Sequence, residues 1–173
     1  MRRIEPSELS LRPFHVLDQG WALLVAGRER PNPMTVSWGG LGTLWNRPIV
    51  TVYVRPTRYT HTLLTAHPEF TLNVLPPERR PALQLCGSRS GRELDKWSAA
   101  GLVAEASTEI AVPRVAGAVL AFECRVGGTV DLDPARFLDP TLHQLYGPAD
   151  HHRVFFGEVV AVWADEAAAA TGR

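Results

Sequence analysis

Four stretches of the chain carry residue types that can hold a ligand or move a proton. In Asn32-Pro33-Met34-Thr35-Val36-Ser37-Trp38-Gly39-Gly40-Leu41-Gly42, a strand bearing Thr and Ser empties into a loop with three glycines. Glycine lets backbone amides approach a flat or anionic ligand without a Cβ in the way. In Val54-Arg55-Pro56-Thr57-Arg58-Tyr59-Thr60, a strand ends at Arg55, Pro56 turns the chain, and Thr60 is placed to cap a helix over 62–66. A helix start offers unpaired N–H groups and roughly half a unit of positive charge, so Arg58 and the Thr60 hydroxyl beside it would make a phosphate cradle. In Gly87-Ser88-Arg89-Ser90-Gly91-Arg92-Glu93-Leu94-Asp95-Lys96, Ser90, Arg92 and Lys96 can converge on one anion at a second helix start, with the helix expected over 93–100. The fourth stretch, Tyr146-Gly147-Pro148-Ala149-Asp150-His151-His152, leads into an apolar strand, Arg153–Trp163.

Each stretch also has a purely structural reading: a glycine-rich hairpin, an N-cap with solvated arginines, a charged helix end. Of the two histidines, one is expected to face a pocket and the other solvent, because neighbours on a strand point to opposite faces. That geometry argues against a metal shared by His143, Asp150, His151 and His152, although zinc accepts both imidazole and carboxylate. A pocket-facing imidazole can donate a hydrogen bond or shuttle a proton near neutral pH. Nucleophilic chemistry has little support: no GxSxG occurs, and Cys86 and Cys124 sit in apolar runs typical of packing residues. Neither a Walker motif nor a GxGxxG dinucleotide fingerprint is present.

The elements that must position these stretches are mostly strands. Apolar runs recur at 21–26, 34–38, 49–54, 70–75, 119–126 and 154–163 between Gly, Pro and Asn turn signals. That spacing suits a mainly β fold, an antiparallel barrel or sandwich with short peripheral helices, rather than strand–helix alternation. A proline-opened helix is expected over 77–85. The 173 residues are expected to make a single domain, with its core over about 14–163 and a tail at 164–173. No apolar run approaches the ~18 residues of a membrane span. The opening Met1-Arg2-Arg3-Ile4-Glu5 has no apolar signal stretch, so the expected address is cytoplasmic.

Charge is unevenly spread. The chain is neutral overall, but residues 55–96 hold seven cations and four anions, and the remainder eleven cations and fourteen anions. A local positive region inside a neutral protein fits a small anionic ligand better than nucleic acid, which needs a basic face. Lys96 is the only lysine among eighteen basic residues.

In this order the stretches resemble the flavin reductase-like family with the FMN-binding split-barrel fold, a group that includes flavoredoxin. The resemblance rests on Asn32–Gly40 (N-x-M-T-x-S-W-G-G), Pro48–Thr60 (P-x-x-T-V-Y-V-R-P-x-R-Y-T), Phe70–Val74, Gly87–Leu102 (G-x-x-S-G-R-x-x-D-K, then A-G-L) and Asp150–Val159 (D-x-H-x-x-F-x-G-E-V). It spans residues 14–163. It implies a homodimer with noncovalent FMN in each antiparallel split barrel, near the subunit boundary. By resemblance, Thr35, Val36 and Ser37 meet the isoalloxazine edge largely through backbone groups, with Trp38 nearby. Arg58, Tyr59 and Thr60 match the turn at the ribityl phosphate, and Ser90, Arg92 and Lys96 match a second phosphate segment. Arg55 and Pro56 line the cleft. His152 falls on the nicotinamide or acceptor side and is the catalytic candidate.

The implied activity passes electrons from NADH or NADPH, bound transiently, through FMN to free flavin, a metal complex or a protein partner. The alternative is an electron carrier reduced by another protein. FMN asks for fixed cations and helix-start amides at its phosphate and for close backbone at its ring, and the cofactor carries the hard chemistry. Two departures from the family pattern stand out. Glu93 replaces a second acidic residue in the S-G-R-D stretch, and Ala149 stands where many flavin reductases have glycine, in a region tied to nicotinamide use.

Overall fold

The computed structural model describes residues 1–9, 11–12 and 14–165. All but the first two residues of the tail expected at 164–173 lie outside the described residues. The elements are β1 (Arg2–Ile4), β2 (Ala22–Ala26), β3 (Asn32–Val36), β4 (Gly39–Leu44), β5 (Arg47–Val54), α1 (Tyr59–Ala66), β6 (Glu69–Val74), α2 (Arg80–Ser88), α3 (Lys96–Ala99), β7 (Ala104–Glu105), β8 (Arg114–Val115), β9 (Leu120–Asp131) and β10 (Arg153–Ala164).

One antiparallel sheet runs in the order β3-β2-β6-β9-β10-β5-β4 and curls into a split barrel. The expected mainly β, antiparallel split-barrel fold with short helices is what the chain adopts. The sheet ends on β3 and β4, which follow each other in sequence through Ser37 and Trp38 yet share no ladder. The barrel is therefore open along that seam. On one edge of β10, β5 pairs with Arg153–Glu158 and β1 with Val162–Ala164, while β9 pairs along the other edge. The β9–β10 register shifts between Phe156 and Gly157. A Cβ at Gly157 would lie 2.4 Å from Phe70 Cζ, so the glycine makes room for that ring inside the barrel.

Side-chain alternation divides the core in two. Ala22, Leu24 and Ala26 of β2 point inward with Val50, Val52, Phe70, Phe122 and Phe155. Leu23 and Val25 point outward beneath Ala82, Leu83 and Cys86 of α2. Strand β2 is thus buried on both faces, and its run is unbroken apolar for that reason.

The structure corrects several local expectations. The glycine-rich segment Gly39–Gly42 is not a loop but part of β4, paired with Ile49–Val52 of β5. Its glycines serve the sheet: a Cβ at Gly39 would lie 2.7 Å from Thr51 O. Thr60 is not an N-cap. Arg58 holds that position in extended backbone, and Thr60 is the second residue of α1, its hydroxyl turned to Asn32. The expected 77–85 helix begins as a tight turn at Pro77–Arg79 and runs on to Ser88. The expected 93–100 helix shrinks to Lys96–Ala99. Glu93 and Leu94 fold back on Ser90 O, and Asp95, in extended backbone, caps by accepting from Trp97 N at 3.0 Å.

Candidate functional site

The seam between β3 and β4 opens onto a groove made of two cavities that meet at Met34 and Arg58. The first, about 190 Å³, is lined by Thr35, Val36, Ser37 and Trp38 as the chain leaves β3, by Tyr53 and Arg55 at the end of β5, and by His152 just before β10. The second, about 160 Å³, lies between the start of α1 (Thr57–Thr60) and the loop Ser88–Gly91, with Lys96 beneath. Ten of the eleven predicted residues line this groove. Arg92, the eleventh, stands beside it, with its Nη1 3.1 Å from Thr57 O and its guanidinium over the Tyr59 ring at 5.2 Å.

The second cavity is rich in positive charge that has no internal counterion. Among the described residues, Arg58, Arg89, Arg92 and Lys96 make no ion pair with a carboxylate. Lys96 is 3% exposed, and its Nζ donates to Pro33 O (3.0 Å) and Cys86 O (2.8 Å). Burial pulls its pKa down to about 8, against the neighbouring Cys86, which raises it. Arg58 donates to Gly87 O at 2.8 Å, and burial and then nearby Arg55 hold its pKa below the usual guanidinium range. Lys96 is buried, Arg58 half-buried, and Arg89 and Arg92 exposed, so the cluster presents positive charge that an anion entering the cavity would meet.

Asn32 and Gly91 hold the two walls of that cavity together. Asn32, 5% exposed, donates to Thr60 Oγ1 at 2.9 Å. Its amide oxygen sits only 1.8 Å from where a Cβ on Gly91 would be. The loop can close on β3 and α1 only because residue 91 has no side chain. Neither residue was among the predicted ligands. Asn32 opens the N-x-M-T stretch, and a buried amide that must satisfy its hydrogen bonds was the available signal.

Polar groups at the first cavity are used differently. Thr35 gives its hydroxyl to Leu83 O of α2 at 2.5 Å, which leaves its backbone as the part available to the cavity. Trp38 is 44% exposed, and its ring lies 5.2 Å from that of His152. His152 is buried, with Nδ1 3.0 Å from the Tyr146 hydroxyl. Burial, then Arg55, pulls its pKa down to about 4 against the opposing pull of Asp150. The imidazole is therefore neutral near pH 7. It can exchange hydrogen bonds there, but the expectation of a proton shuttle titrating near neutrality is not met. His151 instead stacks on Tyr146 at 4.7 Å. Arg55 pairs with Asp150 (3.2 Å) and caps the Tyr146 ring at 5.2 Å. Burial pushes the Asp150 carboxyl up, but hydrogen bonds from Thr57 and Arg55 outweigh it and hold the group low. Among the described residues no group of three or more His, Cys, Asp or Glu is arranged to hold a metal.

A split barrel whose seam carries a cation-lined cradle at one end and a backbone-lined slot at the other defines a class of protein that binds a small anionic ligand with a flat body. Comparison with known proteins makes the assignment specific. Residues 15–172 match the model of the flavin reductase like domain, and the chain belongs to that family. An uncharacterised protein of Archaeoglobus fulgidus is 30% identical over 128 residues, covering 73% of this chain and 72% of that one. Among solved structures, an FMN-binding protein of Thermus thermophilus with bound p-hydroxybenzaldehyde is similar at 27% identity and a TM-score of 0.66, over 85% of this chain and 72% of that one. The flavoredoxin of Methanosarcina acetivorans shares the fold at 21% identity and a TM-score of 0.69, over 96% of this chain and 76% of that one. An NADH:FAD oxidoreductase of Streptomyces globisporus does so at 24% identity and 0.66, over 86% and 76%. Among the described residues no helix is long and apolar enough to cross a membrane.

Proposed function

We propose that this chain is an FMN-binding flavoprotein oxidoreductase that takes electrons from NADH or NADPH and delivers them to free flavin, a metal complex or a protein partner. The observation that carries the reading is the set of cations around the second cavity, Lys96 buried among them, which make no ion pair with a carboxylate among the described residues. A phosphate dianion supplies that missing charge. Membership of the flavin reductase-like family and the likeness to an FMN-binding protein support FMN as its source.

When bound, FMN supplies the acceptance of a hydride and its release as electrons. The chain's own residues bind and orient. Arg58, Ser90, Arg92 and the first turn of α1, Tyr59 and Thr60, hold the phosphate, and Lys96 adds its charge from beneath the loop. Thr35, Val36 and Ser37 present backbone to the ring edge, and Trp38 borders the ring. His152 offers a neutral imidazole on the reacting side. In the tautomer that accepts from the Tyr146 hydroxyl at Nδ1, the ring's own proton is on Nε2. The reading includes a homodimer, supported by the exposed apolar side chains of Leu44 and Trp45 at the β4–β5 turn.

Two measurements test it. Purified protein should take up FMN stoichiometrically and show the flavin absorption bands; protein that stays colourless with excess FMN refutes the reading. Anaerobic mixing of the loaded protein with NADH or NADPH should bleach the flavin band within seconds. One observation favours the alternative, a carrier reduced by another protein: Ala149 occupies the left-handed φ of 55° in the stretch that the family ties to nicotinamide use. Reduction by dithionite but by neither nicotinamide would establish the carrier.

A further inference from the structure

The connection between β9 and β10 runs over the surface, and its last stretch, residues 145–152, returns to the ring end of the groove. Side chains from the end of β5 and the turn after it hold that stretch in place. Arg55 donates through Nη2 to Leu145 O (2.9 Å) and through Nη1 to Asp150 (3.2 Å), and the Thr57 hydroxyl donates to the other Asp150 oxygen (2.9 Å). Between those anchors sits Tyr146. Its ring stacks on His151 at 4.7 Å, lies 5.9 Å from Phe137 and is capped by the Arg55 guanidinium at 5.2 Å. Its hydroxyl has one hydrogen-bond partner among the described residues, His152 Nδ1 at 3.0 Å. The rest of His152 is fixed as well: its carbonyl accepts from Leu132 N at 3.0 Å, and Trp38 and Tyr53 place their rings 5.2 and 6.4 Å from the imidazole. Of the phenol and the imidazole, it is the imidazole that lines the first cavity.

We infer that Tyr146 is a positioning residue: its hydroxyl donates to Nδ1 and so fixes His152 as the Nε2–H tautomer, which makes the imidazole a hydrogen-bond donor in the groove. The inference rests on the FMN reading of that groove and assigns one of its donors. A phenol has one proton to give, and a neutral imidazole has one bare nitrogen to take it. Were Nδ1 protonated and donating to the phenol oxygen, the phenol proton would find no acceptor among the described residues. Arg55 favours the same direction, because a cation beside the phenol stabilises the negative charge left on oxygen as the proton is shared. The bond made at one ring nitrogen then decides what the other can do, and here it leaves the proton on Nε2. The bonds from Arg55 and Thr57 to Leu145 and Asp150 serve this arrangement through Tyr146, by keeping the stretch that carries the phenol against the barrel.

Long-range proton–nitrogen correlation spectra of the flavin-free, full-length protein read the tautomer directly, because protonated and bare ring nitrogens resonate far apart. His152→Asn identifies the His152 signals among those of the six histidines. At pH 7, where this ring is neutral, the proton should sit on Nε2 with about a tenfold preference, the size of one hydrogen bond. Tyr146→Phe, which removes only the hydroxyl, should reduce that preference by about threefold or more. Phe137→Leu, which alters a neighbour of the same ring and keeps the hydroxyl, should leave it unchanged. In the FMN-loaded protein, Tyr146→Phe should slow flavin reduction at saturating NADH or NADPH by about threefold or more and leave FMN affinity within about twofold of wild type. A proton on Nδ1 in the wild type, a preference that survives Tyr146→Phe, or an equal shift in Phe137→Leu overturns the inference. So does a shifted tautomer with an unchanged reduction rate. Protein that takes up no FMN, or that neither nicotinamide reduces, fails the proposed function instead, and the flavin-free spectra still decide the tautomer.

Discussion

The neutral state of His152 has a consequence for stability that is large enough to measure. An imidazole free in the unfolded chain takes its proton near pH 6.5, whereas the folded chain holds His152 unprotonated down to about pH 4. Between those values the unfolded state binds more protons, so folding stability falls as pH falls. Each pH unit in that window costs up to about 1.4 kcal/mol, about 3 kcal/mol in all by pH 4. The cause is local: the ring is 8% exposed, faces the Arg55 guanidinium, and receives only partial compensation from Asp150. The matching variant is His152→Asn, which keeps an amide for the Tyr146 hydroxyl and removes the titration. Urea unfolding of both proteins from pH 7 to pH 4 gives the difference in stability at each pH, and carboxylates that titrate alike in the two proteins cancel from it. The wild type should lose about 2–3 kcal/mol relative to His152→Asn across that range. The His152 ring resonances should show no midpoint above pH 5. Parallel stability curves, or a midpoint near 6.5, would refute the placement of the ring in a desolvated, cation-facing pocket.

Other substitutions probe the remaining joints of the site. Arg92→Ala should weaken FMN by roughly 1–3 kcal/mol and riboflavin hardly at all, since the lost charge-assisted contact is to the phosphate; equal losses in parallel titrations would count against that role. Lys96→Met leaves Pro33 O and Cys86 O without their buried donor and should destabilise the flavin-free protein by about 2–5 kcal/mol in urea, an effect that a surface ligand lysine would not show. Gly157→Ala should lower stability by about 1–3 kcal/mol through collision with Phe70, and an unchanged midpoint would mean that the barrel relaxes there. Ala149→Gly should raise the thermal midpoint, because it relieves an alanine held at φ 55°, worth about 1 kcal/mol.

Much of the frame was readable because six apolar runs are strand-length and bounded by turn residues. The parts that escaped share a physical cause. Strand β4 carries Gly39, Gly40 and Gly42, a composition that signals a loop, yet at Gly39 the β5 backbone lies too close for a Cβ. The three-residue β1 has too few side chains to show alternation, and its place is set by pairing with the distant end of β10. Thr60 looked like a helix cap from its residue type, but its hydroxyl is claimed by Asn32, 28 positions away. No local pattern announces a partner at that distance. Asp95 is a cap by residue type, but Gly91 offers an earlier apparent helix start. Residue types and order were enough to find the groove; the division of labour within it required side-chain partners.

Those partners show why the two ends of the groove act as one piece. Thr35 Oγ1 reaches Leu83 O, Lys96 Nζ reaches both Pro33 O and Cys86 O, and Arg58 reaches Gly87 O. The first fastens β3 to α2, the Arg58 bond fastens the entry of α1 to α2, and Lys96 ties the start of α3 to both β3 and α2. The backbone of Thr35 and Val36 at the ring end is thereby tied to the same α2 segment that carries the phosphate loop. The open seam between β3 and β4 is what permits this arrangement. In a closed barrel the edge of β3 would be spent on a neighbouring strand, and no backbone would be left to meet a ligand.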